Sequence, residues 1–336
     1  MRHARFTTIM MAGLVAAAPL IGGCAGTSGE CENGRKYVQA TVPAGSSFAS
    51  AADSLERAGV VSQAWLFRVY AKMRGRDRDL KPGRYFFACG DTDWSSVLAR
   101  LSAGPGERTV TIPEGFAISD IVPLLAKALG VPEDSVRVAA SDSVIRRELD
   151  VPTPTLEGYL FPDTYRFAPG SPARDAIGQL VRRFRQEWNP AWDQRLQRLA
   201  LSRHDILTLA SIIEKEARLP EERPVISAVY HNRLRDQMPL QADPTVQYAL
   251  GQHVNRVRYK DLEVESPYNT YKRRGLPPGP IASPGRASIE AALFPADVPY
   301  KFFVAHPDGH HEFRTTFREH TEARAEIRQA VRARPR

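Results

Sequence analysis

The chain has 336 residues, 43% hydrophobic and 25% charged, enough for two domains and a sizeable apolar core. Its net charge of +8, from 46 basic against 38 acidic side chains, raises the question of nucleic acid. The basic residues fall in short, separated clusters (Arg74–Arg78, Arg182–Arg185, Lys272–Arg274, Arg328–Arg336) with no stacking platform or nucleic-acid motif, so no nucleic-acid partner is expected. The charge reads either as a surface that attracts anionic polymers or lipid headgroups, or as a plain arginine-rich composition.

The chain opens with a short positive segment, Met1-Arg2-His3-Ala4-Arg5, and an apolar run from Ile9 to Ile21 broken by Pro19. That run falls below the ~20 residues that span a bilayer and has the length of a signal-peptide core. It ends in Gly22-Gly23-Cys24, which resembles a bacterial lipobox: cleavage before Cys24 would leave its thiol for lipid attachment. A signal-anchor helix, or a cleaved signal followed by a chance cysteine, are the alternatives. Acyl chains contribute ~0.8 kcal/mol per buried CH2 and need no spanning helix. Residues 1–23 are read as a lipoprotein-type signal peptide and 24–36 as a polar linker, with the remainder outside the cytoplasm. Once Cys24 is acylated, Cys31 and Cys89 remain, and an oxidising compartment permits a bridge between them. No CxxC or Cys/His ligand spacing occurs, so a zinc site has little support.

Tyr37–Val42 is extended and leads into the turn Pro43-Ala44-Gly45. Helical patterns follow over Ser47–Ala58 and Ser62–Met73. A turn and apolar strand, Leu80-Lys81-Pro82-Gly83-Arg84-Tyr85-Phe86-Phe87, then precede an amphipathic stretch over Trp94–Leu101. After Gly104-Pro105-Gly106 the pattern repeats: Thr41-Val42-Pro43-Ala44-Gly45 returns as Thr111-Ile112-Pro113-Glu114-Gly115, an offset of 70, and Leu55 and Ala58 return as Leu125 and Ala128. Each unit closes on a strand signal, Gly83–Phe87 in the first and Gly158–Phe161 in the second. Two strand–turn–helix units of this kind loosely resemble glycan-binding LysM modules, and fit two ordinary α+β units equally well.

From Asp205 the chain is mostly helical. Asp205 is a candidate N-cap for Ile206–Ala217, Pro224 fits the first turn of Val225–Arg235, and Asp243-Pro244 opens Thr245–Leu250, which Gly251 ends. A loop-rich stretch, Ser266–Ala287, precedes a short helix over Ser288–Leu293. Tyr300–Ala305 and His311–Arg314 read as a hairpin around Pro307-Asp308-Gly309, and a charged helix ends the chain. The fold class expected is α+β: N-terminal βα units followed by a mostly helical domain with a small β-hairpin.

On a wheel at ~100° per residue, Ile206, Leu209, Ala210, Ile213 and Ala217 form one apolar stripe, and Lys215 points away from it. Glu214 and Glu216 fall on opposite flanks, so one cleft cannot hold both. Glu216 lies a turn beyond Leu209, Ile212 and Ile213, against an apolar wall. Desolvation there would raise its pKa above ~4.3, as a general acid at neutral pH requires. Glu214, beside Lys215 and a turn before Arg218, fits a structural ion pair.

The segments LASIIEKEA, VYHNRL, LQADPTVQYALG, SPYNTYKRRGLPPGPIASPG and FFVAHPDGHHEFRTTFREH resemble, in order, the signatures of the endolytic murein transglycosylase (YceG-like) family. The likeness extends upstream through LEGYLFPDTYRF, TIPEGF and LKPGRYFF, and so covers nearly everything after the linker. It implies a LysM-like domain over 37–107 and a transglycosylase region over 108–336, with a catalytic core at about 156–325. It also implies that Glu216, the second glutamate of the EKE triplet, is the catalytic acid of a lyase acting on peptidoglycan glycan strands. By that likeness the enzyme needs no metal, cofactor or second carboxylate, because the C6 hydroxyl of N-acetylmuramic acid is the nucleophile. By the same likeness Tyr268, Asn269 and Thr270 line the cleft, and peptidoglycan synthases are candidate partners. The family commonly begins with a spanning helix where this chain has a lipobox-like cysteine, so the anchoring mode, inner or outer, stays open.

Gln241, Asp243 and Glu157 are further cleft candidates, although the capping role of Asp243 accounts for it without function. Asn232 and Arg233 suit a buried polar network, and His310, His311 and His320 read as structural histidines rather than metal ligands. Two other functions remain: a peptidoglycan-binding lipoprotein without activity, and a muramidase-type hydrolase in which Glu157 or Asp243 activates water.

Overall fold

The computed structural model describes residues 37–89, 93–251 and 257–333. The signal-peptide run, Cys24 and Cys31 lie outside the described residues; Cys89, whose pairing with Cys31 the sequence left open, is disulfide-bonded. Among the described residues no helix is long and apolar enough to cross a membrane.

The first unit runs β1 (Tyr37–Val42), α1 (Phe48–Arg57), α2 (Ala64–Met73), β2 (Gly83–Ala88) and α3 (Trp94–Ala103). β1 and β2 pair antiparallel, Tyr37 opposite Ala88 and Val42 opposite Gly83. Alternation with a period of two turns Ala40, Val42, Tyr85 and Phe87 onto one face, where α1, α2 and α3 cover them with Leu55, Phe67 and Leu101. Side-chain caps start two of these helices: Ser47 accepts from the Ser50 amide, and Asp93 from the Ser96 amide.

The second unit repeats the plan with β3 (Arg108–Thr111), α4 (Ile118–Leu129), α5 (Glu133–Ala139), α6 (Ser143–Glu148) and β4 (Thr164–Phe167), β3 and β4 again antiparallel. The offset of 70 therefore reflects one strand–helix–strand topology used twice. The closing strand differs from expectation. Gly158–Phe161 is a buried turn, and the strand begins at Thr164. Gly158 has a left-handed φ of +82°, and a Cβ there would collide with the Pro280 ring, so the chain needs a glycine to bend beneath the Pro280 loop.

The helical part comprises α7 (Ala173–Glu187), α8 (Trp192–Leu199), α9 (Arg203–Glu216), α10 (Arg223–Arg235), α11 (Asp243–Leu250) and α12 (Arg286–Leu293). The hairpin β5 (Phe302–Ala305) and β6 (His311–Arg314) and a terminal helix α13 (Phe317–Ala333) follow. The whole is α+β, as expected. Helix α9 starts earlier than the sequence suggested. Ser202 is its cap and Asp205 its third residue; Ser202 Oγ accepts from the Asp205 amide at 3.1 Å while Asp205 Oδ2 accepts from the Ser202 amide at 2.9 Å. This reciprocal box satisfies two donors where a lone Asp205 cap would satisfy one.

Ile206 through Ile213 are all buried, so α9 is enclosed on every side rather than along one stripe. Helices α8, α10, α11 and α12 pack around it. Its two mid-helix hydroxyls are satisfied internally: Thr208 Oγ1 donates to the His204 carbonyl at 2.8 Å, and Ser211 Oγ to the Thr208 carbonyl at 2.7 Å. Truncating Ile212 to alanine would cost about 2–5 kcal/mol. One apolar cluster spans Ala40–Leu101 and another Val110–Leu293. Between them Phe86 packs on Gly170, and Arg84 pairs with Asp175 at 2.8 Å.

Candidate active site

Glu216 is the last residue of α9, whose buried body fixes it from below. Tyr230, fully buried on α10, donates its hydroxyl to Glu216 Oε1 at 3.1 Å. Burial pushes the Glu216 carboxyl up to about 7, with the negative charge of Asp243 adding to the effect and the Tyr230 hydrogen bond and Arg233 opposing it. Its place at a helix C-terminus, the negative end of the macrodipole, works in the same direction as burial. A carboxyl balanced near neutrality can both give and take a proton.

Glu214 faces other neighbours. Its Oε2 accepts from the Gly285 amide at 3.0 Å, and its Oε1 lies 3.6 Å from Arg223 Nη2. Arg223, not Lys215 or Arg218, is thus its partner. Lys215 turns to the second unit and donates to the Gly115 carbonyl at 3.2 Å. Both contacts pin the last turn of α9 without touching Glu216.

Across from Glu216, Asp243 is exposed at the start of α11. It does not cap that helix, for which Ala242 is the N-cap; its Oδ1 instead accepts from the Tyr271 hydroxyl at 2.6 Å. Gln241, also exposed, holds a left-handed φ of 49°, a conformation costing roughly 1–2 kcal/mol for a residue other than glycine. Thr270 sustains it: the Thr270 carbonyl accepts from the Gln241 amide at 3.1 Å and its hydroxyl from the Ala242 amide at 3.0 Å. Asn269 is likewise turned inward, its Nδ2 donating to the Leu262 and Val264 carbonyls at 2.8 and 2.9 Å. Both side chains are buried, whereas Tyr268 and Tyr271 on either side of them are half-exposed.

Glu157 is buried in the turn beneath α4. Both its oxygens accept from the Ile118 amide, at 3.1 and 3.2 Å, and Tyr248 donates to Oε2 at 3.4 Å. Burial raises its carboxyl to about 7 against these hydrogen bonds. Tyr248 meets Tyr268 at a ring separation of 4.8 Å, which links Glu157 to the rim. Arg233 and Asn232 form the expected polar network. Arg233 donates to the Lys301 and Leu240 carbonyls at 2.6 and 2.7 Å, and Asn232 to those of Val298 and Tyr300 at 2.9 and 2.8 Å. His311 joins the same wall, hydrogen-bonded to Glu222 at 2.6 Å.

Tyr230 was not among the sequence candidates. Its signal is faint, a single tyrosine within VYHNRL, and only the packing of α10 on α9 brings it to the carboxyl. Among the described residues no group of three or more His, Cys, Asp or Glu side chains gathers as a metal site. A separate cleft of about 690 Å³, lined by Asp150, His204, Asp205, Pro277 and Pro278 among others, lies at the opposite end of α9. With 14 residues in that helix, this is about 20 Å from Glu216.

A buried helix thus presents one desolvated glutamate at its C-terminus, with Tyr230, Tyr271, Asp243 and Arg233 around it. The model of the YceG-like family matches residues 40–326, and the chain belongs to that family. An endolytic murein transglycosylase of Bacillus subtilis is 34% identical over 310 residues, covering 87% of this chain and 85% of its own length. One from Streptococcus pneumoniae serotype 2 is 30% identical over 305 residues; these are 81% of this chain but 55% of the pneumococcal protein. The crystal structure of a YceG-like protein from Listeria monocytogenes superposes with a TM-score of 0.60 at 34% identity, covering 86% of this chain and 99% of that one.

Proposed function

We propose that the protein is an endolytic murein transglycosylase, a lyase that cleaves the MurNAc–GlcNAc β-1,4 bond of peptidoglycan strands and leaves 1,6-anhydro-MurNAc ends. The observation that carries this reading is Glu216: one carboxyl, raised to about 7 by burial, at the rim of a tyrosine-lined wall. Protonated Glu216 gives its proton to the glycosidic oxygen as the bond from C1 breaks. The C6 hydroxyl of the same MurNAc then closes on C1, and its proton returns to Glu216. One residue serves as acid and then base, and no water is consumed, so the two-carboxylate arrangement of hydrolases is unnecessary. Tyr230, whose own pKa burial raises well above the usual tyrosine value, stays a donor and orients Oε1, leaving Oε2 for the proton.

In this reading Tyr268, Tyr271, Gln241 and Asp243 meet the glycan, while Asn269 and Thr270 act from behind by fixing the loop. Glu157 serves the wall rather than the sugar, given its burial and its hydrogen bonds to Ile118 and Tyr248. In this reading the first unit is the LysM-like region, 37–107, and the second unit opens the catalytic region, 108–336. The lipobox-like Cys24 would hold the protein to a cell membrane with its domains on the extracytoplasmic face, where wall synthases are available as partners and cutting a nascent strand ends its elongation. Digestion of purified glycan strands, read by mass spectrometry, tests the chemistry: anhydro ends are expected, and reducing ends in their place would mean hydrolysis.

A further inference from the structure

Helix α2 is apolar on both sides. Its inner face buries Ala64, Phe67 and Ala71 in the first unit. Its outer face carries Trp65, Val69 and Met73, exposed to 59%, 49% and 80%. At ~100° per residue these three fall within an arc of about 80°, centred opposite the buried residues. Single exposed apolar residues are ordinary, but a tryptophan, a valine and a methionine aligned along the outer pole of one helix are not scattered singly. Positive charge borders the stripe: Arg68 and Lys72 lie along one side of it on the helix, and Arg74, Arg76 and Arg78 follow at its end, against Asp77 and Asp79. At that end opens a cleft of about 500 Å³ lined by Arg74, Arg76, Asp79 and Lys81, among others.

We propose that the outer face of α2, with the basic cleft beside it, docks on an anionic lipid bilayer. Trp65, Val69 and Met73 would enter the boundary between headgroups and acyl chains, and Arg74, Arg76 and Lys81 would meet lipid phosphates. An interfacial helix pairs an apolar face with adjoining basic residues in this way. The chain's layout brings the surface within reach. Cys24 is 13 residues before Tyr37, a tether of at most roughly 45 Å, so a lipid at Cys24 keeps α2 close to the membrane. The proposal rests on the anchored reading above only for that nearness. Docking through α2 would also orient the first unit on the membrane, which a lipid at Cys24 alone would not do.

The test uses residues 24–336 carrying Cys24→Ser, which cannot be lipidated, so its outcome is independent of the anchor. Both apolar clusters are built from Ala40 onward and are retained. Sedimentation with phosphatidylcholine vesicles containing about one third phosphatidylglycerol should pull the protein down, and binding should weaken as salt screens the charges. The double variant Trp65→Ser/Met73→Ser should bind at least tenfold more weakly while cleaving soluble glycan as the parent does, since neither side chain supports the core. Arg74→Gln/Arg76→Gln should lose the preference for phosphatidylglycerol over phosphatidylcholine alone. Absence of binding by the parent chain, or equal binding by the Trp65/Met73 variant, would overturn the proposal. So would loss of binding to insoluble peptidoglycan in that variant with vesicle binding unchanged, which would make this a glycan-facing surface. Lipidation at Cys24 is read separately, by mass, on the full-length protein.

Discussion

The Tyr230 hydroxyl donates to Glu216 Oε1 at 3.1 Å, and the charge of Asp243 acts on the same carboxyl. The two neighbours pull in opposite directions. The hydrogen bond favours the carboxylate, and the negative charge disfavours it. Burial is the larger influence, and it sets the carboxyl near 7. The acid step needs the proton on Glu216, so turnover should fall as pH rises through about 7.

Substitutions of the two neighbours should move that alkaline limb in opposite senses. Asp243→Asn removes a charge that raises the Glu216 pKa, so the limb shifts to lower pH. Tyr230→Phe removes a donor that lowers it, so the limb shifts to higher pH. Each displacement should be roughly half a pH unit or more, measured as kcat against pH on soluble glycan. Shifts of the same sign in both variants would contradict the assignment of Glu216 as the titrating acid.

Glu157 gives a prediction about stability. Its folded value of about 7 exceeds the ordinary 4.5, so the folded protein holds this proton more tightly than the unfolded chain. The resulting stabilisation is complete below the unfolded value and is lost as pH rises through about 7. The wild type should therefore be less stable at about pH 8 than at about pH 5, by on the order of 1–3 kcal/mol from this group. Glu157→Gln should narrow that difference in urea melts, because the amide oxygen can still accept from Ile118 and nothing ionises.

Thr270 and Asn269 should behave as scaffolding. Thr270 Oγ1 meets the Ala242 amide at 3.0 Å and Thr245 Oγ1 at 2.8 Å, all out of solvent. Thr270→Val leaves a buried amide unpaired and should cost about 1–3 kcal/mol. With the support of Gln241 weakened, KM should rise more than kcat falls. A variant with unchanged stability but no measurable glycan binding would instead make Thr270 a direct contact.

The EKE triplet and its helix were legible because a glutamate two residues from another cannot share its face, and the structure does send Glu214 to Gly285 and Glu216 to Tyr230. Helix α9 itself was read as one stripe because Thr208 and Ser211 look polar; their hydroxyls bond within the helix, and neighbours close over them. Helix α7 had a clear signal in Ala173, Ala176, Ile177, Leu180, Val181 and Phe184, masked by the basic run Arg182–Arg185. The strand expected at Gly158–Phe161 failed because a close approach by Pro280 is invisible in a linear pattern. For the same reason YNTY showed a polar loop without showing that Asn269 and Thr270 turn inward.

The central claim is that Glu216 catalyses glycan cleavage without water. It is tested most directly by digesting purified strands in 18O-labelled water with the wild type and with Glu216→Gln, and weighing the products. The wild type should give 1,6-anhydro ends carrying no label, and Glu216→Gln, still folded, should lose at least about 10³-fold in rate. Labelled reducing ends from the wild type, or undiminished cleavage by Glu216→Gln, would contradict the account.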